Sequence, residues 1–394
     1  MKGGGEKRRF FLIAGEPSGD RLGGALMGGL KHCLEGNAGF EGIGGAQMAG
    51  EGLQSLFPME ELSVMGIAEV LPKYRHLKRR IREAADAVIA ARPDALITID
   101  SPDFNLRVAR LVRAARPEQK IIHYVAPSVW AWRAGRAAKM ARVVDHVLAL
   151  LPFEPPYMEA AGMTCDFVGH PVVAEPQATP EEIAAFRARH GLSQAEKGQG
   201  GPLLLLLPGS RRGEVKRLMP IFREAVARFA ARHPGLRAVL PMAAPVADLV
   251  REMAADWPDA PILLDPAQTG EGEKRAAFAA ADLALAASGT VSLELAAAAT
   301  PMVIAYDMNW LSRQLIARAL KVDTVTLVNL VSETRAVPEF LGRECRPERI
   351  AEALAQVLAA PQAQQAAMAL TMERLGRGGE APGLRAACAV LAAL

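Results

Sequence analysis

The sequence predicts an α/β protein made of two doubly wound parallel sheets. Three observations carry this. Short, unbroken apolar runs recur with helix-length segments between them, and the pattern restarts after a polar, proline-bearing break. The chain has 394 residues, room for two or three domains of about 150 residues each. Phe10–Ala14 reads as the first buried strand, followed by the turn Gly15-Glu16-Pro17-Ser18-Gly19 and a helix over Asp20–Leu34 with Leu22, Leu26 and Leu30 on one face. Ala95–Ile99 is the second strand and leads through Asp100-Ser101-Pro102-Asp103 into a helix whose apolar positions are Leu106, Val108, Leu111 and Val112. Lys120–Val125 and Val143–Leu151 follow as strands. The break runs from Val168-Gly169-His170-Pro171-Val172 to Pro180, with a glycine-rich stretch at Lys197–Pro202. The second series has strands at Leu203–Leu207, Leu236–Leu240, Pro261–Leu264, Leu283–Ala286 and Met302–Tyr306, with a helix over Glu214–Arg232. The expected domains are 1–175, 176–360 and an alanine-rich helical tail 361–394, with ligands in a cleft faced by strand carboxyl ends.

Composition excludes several function classes. Hydrophobic residues at 51% against 23% charged fit a folded protein. A net charge of +3 argues against a nucleic-acid binder that relies on a basic surface. Cys33, Cys165, Cys345 and Cys388 show no paired spacing, which fits a reducing cytosol and neither a disulfide framework nor a zinc site. No stretch approaches the roughly 18 apolar residues of a spanning helix, and the expectation is a cytoplasmic protein. The small net charge hides an asymmetry: residues 73–142 hold 16 basic and 6 acidic residues. That stretch reads either as solvated helix faces or as attraction to an anion, such as a lipid surface or a phosphorylated substrate.

Chemistry concentrates at strand ends. Gly15-Glu16-Pro17-Ser18-Gly19-Asp20 matches neither the P-loop nor G-x-G-x-x-G, which disfavours an ATPase or a nicotinamide enzyme. Ser101, Pro102 and Asp103 read as a helix start, with Ser101 the cap. Asp100 precedes that cap at the strand tip and is the general-base candidate. Pro208-Gly209-Ser210-Arg211-Arg212 suits a diphosphate, because guanidinium groups bind phosphate oxygens in pairs. In Ser288-Gly289-Thr290-Val291-Ser292-Leu293-Glu294, hydroxyls and free N–H groups can hold phosphate while Glu294 accepts ribose hydroxyls; the same residues also read as a loose capping box. The chain has no Asp-x-Asp and no His-Glu-x-x-His, so no metal centre and no cofactor is expected. His123, inside an apolar strand, reads as core. Together these features point to group transfer from a nucleotide donor.

Five motifs in order then resemble the lipid-A-disaccharide synthase family: Ala14–Asp20, Val64-Met65-Gly66-Ile67-Ala68-Glu69-Val70-Leu71, Ile99–Asn105, His123-Tyr124-Val125-Ala126-Pro127-Ser128-Val129-Trp130-Ala131-Trp132-Arg133, and Pro208–Arg211. The resemblance runs from about residue 10 to 355. It implies the GT-B architecture of two Rossmann-like domains and an inverting glycosyltransferase. The family joins UDP-2,3-diacylglucosamine to 2,3-diacylglucosamine 1-phosphate, giving a β-1,6 disaccharide and UDP. Asp100 matches the family's essential aspartate. Ser210, Arg211, Asn329 and Ser288–Glu294 fall on its nucleotide side, and Glu16, Ser18, Asp20, Asp103 and Trp132 on the acceptor side or elsewhere in the cleft; Tyr124, Trp130 and Trp132 read equally as aromatics lining the acceptor side or as core packing. The sequence departs at Pro17, where alanine is usual, and at Val328, where the family has proline before Asn329.

For an enzyme of twice-acylated substrates, the apolar Val64, Met65, Ile67, Val70 and Leu71 beside Lys73, Arg75, Lys78, Arg79, Arg80 and Arg82 form a candidate interfacial element. The expected partners are the two acylated sugars and the inner leaflet of the cytoplasmic membrane, reached peripherally.

Overall fold

A computed structural model describes residues 7–62, 67–130, 135–192, 201–307 and 323–394, with the side chains of 67–74 outside that description. The chain divides into two compact units, Met1–Ala174 with Leu375–Leu394, and Glu175–Arg374. Residues 361–394, expected as one tail, are thus shared between the units.

The first unit contains β1 (Arg8–Ala14), α1 (Pro17–Cys33), β2 (Ala38–Ile43), α2 (Ala46–Gly50), α3 (Ile67–Ala91), β3 (Ala95–Ile99), α4 (Pro102–Ala115), β4 (Ile121–Tyr124), α5 (Gly135–Met140), β5 (His146–Ala149), α6 (Pro155–Glu159) and β6 (Thr164–Phe167). Its six strands are parallel, in the order β2-β1-β3-β4-β5-β6. Phe10–Ala14 and every residue of β3 are buried, as strands covered on both faces must be. β5 is shorter than the apolar run that contains it. Val143 and Val144 donate their N–H groups to Met140 O at 3.0 Å and so belong to the turn that closes α5. The terminal helix Pro382–Ala393 buries Ala386, Ala387 and Val390 in this unit's core. Arg385 anchors it by donating to Phe167 O at 2.8 Å.

The second unit contains α7 (Pro180–Arg189), β7 (Leu203–Leu207), α8 (Arg212–Ala230), β8 (Arg237–Pro241), α9 (Ala247–Ala254), β9 (Ile262–Leu264), α10 (Glu271–Ala280), β10 (Leu283–Ala287), α11 (Val291–Ala297), β11 (Met302–Tyr306) and β12 (Glu339–Leu341), with helices Leu327–Ser332, Pro347–Ala359 and Gln362–Arg374 around the last strand. Its parallel order is β12-β11-β10-β7-β8-β9. Leu204 and Leu206 of β7 meet Leu218 and Phe222 of α8 in its core.

Both sheets reverse direction once. In the first, the chain steps from β1 outward to β2 and then returns to β3 on the other side; in the second, β7 lies between β8 and β10 in the same way. At such a reversal the two neighbouring strand-to-helix loops diverge and leave an opening at the carboxyl edge. The fold therefore marks the exits of β1 and β3, and of β7 and β10, before any side chain is considered.

Candidate active site

At the first opening, Asp100 and Ser101 leave β3 with φ of 48° and 42°, and Val125 leaves the adjacent β4 with φ of 84°. Left-handed backbone is costly for side-chain-bearing residues, above all for β-branched valine, and it collects at functional sites. Local bonds hold it here. Asp100 N–H donates to Tyr124 O at 2.9 Å, Val125 N–H to Leu148 O at 3.0 Å, and the Asn105 amide to Ile99 O at 3.1 Å and Asp100 O at 2.7 Å. Ser101 does not cap α4: in this conformation its hydroxyl makes no cap bond. β1's exit lies against it, since a Cβ on Gly15 would sit 2.6 Å from Ser101 Oγ. Asp100 is partly buried, and that burial raises its carboxyl above the ordinary range, with the Ser101 N–H pulling part of the way back. A carboxylate destabilised as the anion is a stronger base than an exposed one. Asp103, by contrast, is exposed in the first turn of α4.

The other first-unit candidates divide. Glu16 caps α1 by position and Ser18 is exposed beside it. Asp20 is spent on the fold: it is 4% exposed, and its carboxylate accepts the N–H groups of Gly45, Gln47 and Met48 at 2.8, 2.9 and 3.1 Å. For Tyr124 the core alternative holds: it is buried beneath the site and does not line it. His123 is core, as the sequence indicates, with Nδ1 2.7 Å from Thr98 Oγ1 and its pKa lowered by burial to about 4. Trp130 is buried, its ring edge-on to Phe153, and its Nε1 donates to Glu154 Oε1 at 3.4 Å. Glu154 was not flagged by the sequence. Burial pushes its carboxyl up to about 7, against the Leu151 N–H that donates to Oε2 at 3.0 Å. Trp132 lies outside the described residues.

At the second opening lies a hollow of about 620 Å³. The β7–α8 loop supplies Ser210 and Arg211, and the β10–α11 loop supplies Ser288, Gly289, Thr290 and Glu294. Gly209 is required: its φ is 106°, and a Cβ there would sit 2.6 Å from Glu214 Oε2. Glu214 reaches back to accept from Arg211 N–H and its guanidinium, each at 3.4 Å, while the Arg211 side chain stays 69% exposed at the start of α8. The capping-box alternative for Thr290 and Glu294 does not form: Thr290 makes no side-chain cap bond, and Glu294 accepts from Lys274 Nζ at 3.1 Å. The Thr290 hydroxyl remains available to a ligand. Asn329 is not among the residues that line the hollow. It is 0% exposed, and its amide bonds Val337 N and O at 3.0 and 2.9 Å, closing the loop before β12. Lys274, Met242 and Phe278 also line the hollow, and no local motif marked them in the sequence.

In the proposed membrane element, Val64 and Met65 lie outside the described residues, as does the side chain of Leu71 in the first turns of α3. Lys78 and Arg79 are exposed. Arg80 is a correction: it grips Glu61 through two bonds at 2.7 and 2.8 Å, bonds Glu83 at 2.7 Å and stacks over Phe57, so its charge is neutralised within the fold. No helix among the described residues is long and apolar enough to cross a membrane.

Residues 10–392 match the family model of lipid-A-disaccharide synthetase. The chain belongs to the lipid-A-disaccharide synthase family. It is 64% identical over 391 residues to the lipid-A-disaccharide synthase of Ruegeria pomeroyi, covering 98% of this chain and 96% of that one. The Rhodospirillum centenum synthase is 48% identical over 385 residues, with 97% and 94% covered. Among solved structures, the chain resembles the UDP-GlcNAc 2-epimerase of Methanocaldococcus jannaschii in complex with UDP-GlcNAc and UDP (TM-score 0.61, 12% identity, 98% and 99% covered). It also resembles MurG of Acinetobacter baumannii (TM-score 0.53, 15% identity, 93% and 95% covered). These likenesses show the fold, two Rossmann-like domains of GT-B type, and membership in the synthase family makes the chain a glycosyltransferase of lipid A biosynthesis.

Proposed function

We propose that Asp100 is the general base of an inverting transfer from UDP-2,3-diacylglucosamine to 2,3-diacylglucosamine 1-phosphate. The observation that carries this is the raised carboxyl of Asp100 on strained backbone at the reversal point of the first sheet. Asp100 takes the proton of the acceptor 6-hydroxyl as that oxygen attacks the donor's anomeric carbon. The bond from that carbon to the diphosphate breaks on the opposite face, the configuration inverts, and UDP leaves. In the second unit, the Arg211 guanidinium and the start of α8 suit the leaving diphosphate, with Ser288 and Thr290 as further donors and Glu294 as an acceptor for ribose hydroxyls. The first unit is read as the acceptor domain and the second as the donor domain.

We assign the protein a peripheral place at the cytoplasmic face of the inner membrane, where Lys78 and Arg79 are attracted to an anionic surface and the apolar residues before them in the sequence suit burial in the interface. UDP release from UDP-diacylglucosamine, measured with and without the monosaccharide 1-phosphate, tests the reaction. Release that requires the acceptor and yields a disaccharide is expected. Isomerisation of the donor without acceptor, the epimerase outcome, would overturn it.

A further inference from the structure

A second hollow in the first unit, about 610 Å³, opens between α4 and α5, one residue beyond Ser101. Pro102, Asp103, Arg107 and Arg110 line it from α4, and Arg136 and Lys139 from α5. The spacings explain the convergence. Positions 103, 107 and 110 fall on one stripe of α4, and 136 and 139 are one turn apart on α5. Four cations face a single carboxylate there. Among the described residues, none of the four side chains has an ion pair or hydrogen bond, although those of other basic residues of the same stretch do: Arg80 pairs with Glu61, Arg113 with Asp145 and Arg116 with Glu118. Four basic side chains against one carboxylate leave excess positive charge in the hollow, a repulsion that an anionic ligand reduces.

We propose that this hollow binds the phosphomonoester of the acceptor sugar. The proposal rests on Asp100 being the base for that sugar's hydroxyl. Arg107 lies five residues past Pro102, about 7–8 Å along the helix. Helical side chains lean toward the N-terminus, so its guanidinium leans back toward the Asp100 end. A hexose placed with its 6-hydroxyl at Asp100 then directs its anomeric phosphate into the cationic hollow. The volume exceeds that of a phosphate alone and accommodates the ring as well. Two arginines suit the paired recognition of phosphate oxygens, with Lys139 adding a point charge.

The test is steady-state kinetics in detergent micelles with Arg107→Gln/Arg110→Gln and with the milder single variant Lys139→Gln, alongside the wild type. Each enzyme is assayed with 2,3-diacylglucosamine 1-phosphate and with its dephosphorylated form. The expected result is a KM for the phosphorylated acceptor raised at least tenfold in the double variant and by a smaller factor in Lys139→Gln. The KM for the donor and all constants for the dephosphorylated acceptor stay within twofold of wild type. Unchanged KM, or equal losses with both acceptors, overturns the proposal. Binding of inorganic phosphate, weaker in the variants than in the wild type, reads the hollow independently of the reaction. Equal phosphate binding overturns the site even if the enzyme transfers sugar, whereas a wild type without acceptor-dependent turnover overturns the functional reading instead. A lipid headgroup carries the same chemistry. If the variants lose sedimentation with phosphatidylglycerol vesicles while their acceptor KM is unchanged, the hollow serves the membrane and the proposal fails.

Discussion

Gly15 and Ser101 meet where β1 and β3 end, close enough that a single added Cβ would lie 2.6 Å from the serine hydroxyl. This contact braces Ser101, the residue that follows Asp100. Gly15→Ala is therefore expected to displace Ser101 and misplace the base, lowering kcat by about ten- to a hundredfold, since small misplacements of a catalytic group are that costly. UDP binding should be unchanged, because the loops proposed to hold the diphosphate belong to the other unit. Full activity in the alanine variant, at unchanged melting temperature, would show that the contact does not position Asp100.

Glu154 makes a separate, pH-dependent contribution. Its folded-state pKa of about 7 exceeds the ordinary 4.5, so the folded protein holds this proton more tightly than the unfolded chain. The resulting stability is complete below about pH 4.5 and is lost as pH rises through about 7, an effect on the order of 3 kcal/mol. His123 and His170, with pKa values lowered by burial to about 4, act in the opposite sense. Comparison with Glu154→Gln cancels them. Between pH 5 and 8 the wild-type melting temperature should fall relative to that of Glu154→Gln; parallel curves would contradict the buried-acid account.

Arg211 tests how the leaving diphosphate is stabilised. A charge-assisted hydrogen bond contributes about 1.5–3 kcal/mol, so Arg211→Ala should weaken UDP binding by roughly ten- to a hundredfold. Stability should change little, because this side chain is 69% exposed. With no Asp-x-Asp in the chain, turnover should also survive EDTA. Inactivation that magnesium reverses would transfer that role to a metal ion.

The membrane prediction changes once the ion pairs of α3 are known. Arg80 is unsuitable as a probe, since its loss would leave Glu83 without this ion pair and Glu61 with His76 alone. Lys78→Gln/Arg79→Gln should weaken binding to anionic vesicles with little change in melting temperature, by about 1 kcal/mol per residue removed. Raised salt should mimic the variant. Vesicle binding that is indifferent to both would rule out an electrostatic contribution from this face.

Central strands were legible in the sequence, as was the edge strand β9 through its run Pro261–Leu264; the other three edge strands were not. β3, β7, β10 and β11 are unbroken apolar runs because they are buried on both faces. β2 carries two glycines and a glutamate, β6 alternates exposed and half-buried residues, and β12 has three residues; each sits at a sheet edge, where no second neighbour demands an apolar run. Among the candidate site residues, Asp100, Arg211 and the Ser288–Thr290 loop lie where strand-end logic puts them. Asp20 and Asn329 show its limit: a polar residue beside a motif can be wholly engaged by backbone, and only the fold reveals which N–H groups it meets. The hollow between α4 and α5 was legible only as an excess of charge, since its walls come from two helices separated by a strand.

The most direct test of the central claim is the pH dependence of kcat/KM for disaccharide formation, measured on the wild type and on Asp100→Asn. A base must be deprotonated to act, so activity falls as pH drops through the pKa of Asp100. Burial raises that pKa, which places the acidic limb above the ordinary carboxylate range. Asp100→Asn should lower the rate about 10²–10⁴-fold and abolish that limb, while leaving the protein folded, binding UDP, and at neutral pH no less stable than the wild type, because a desolvated charge has been removed. An Asp100→Asn enzyme that retains wild-type turnover with the same acidic limb would contradict the account.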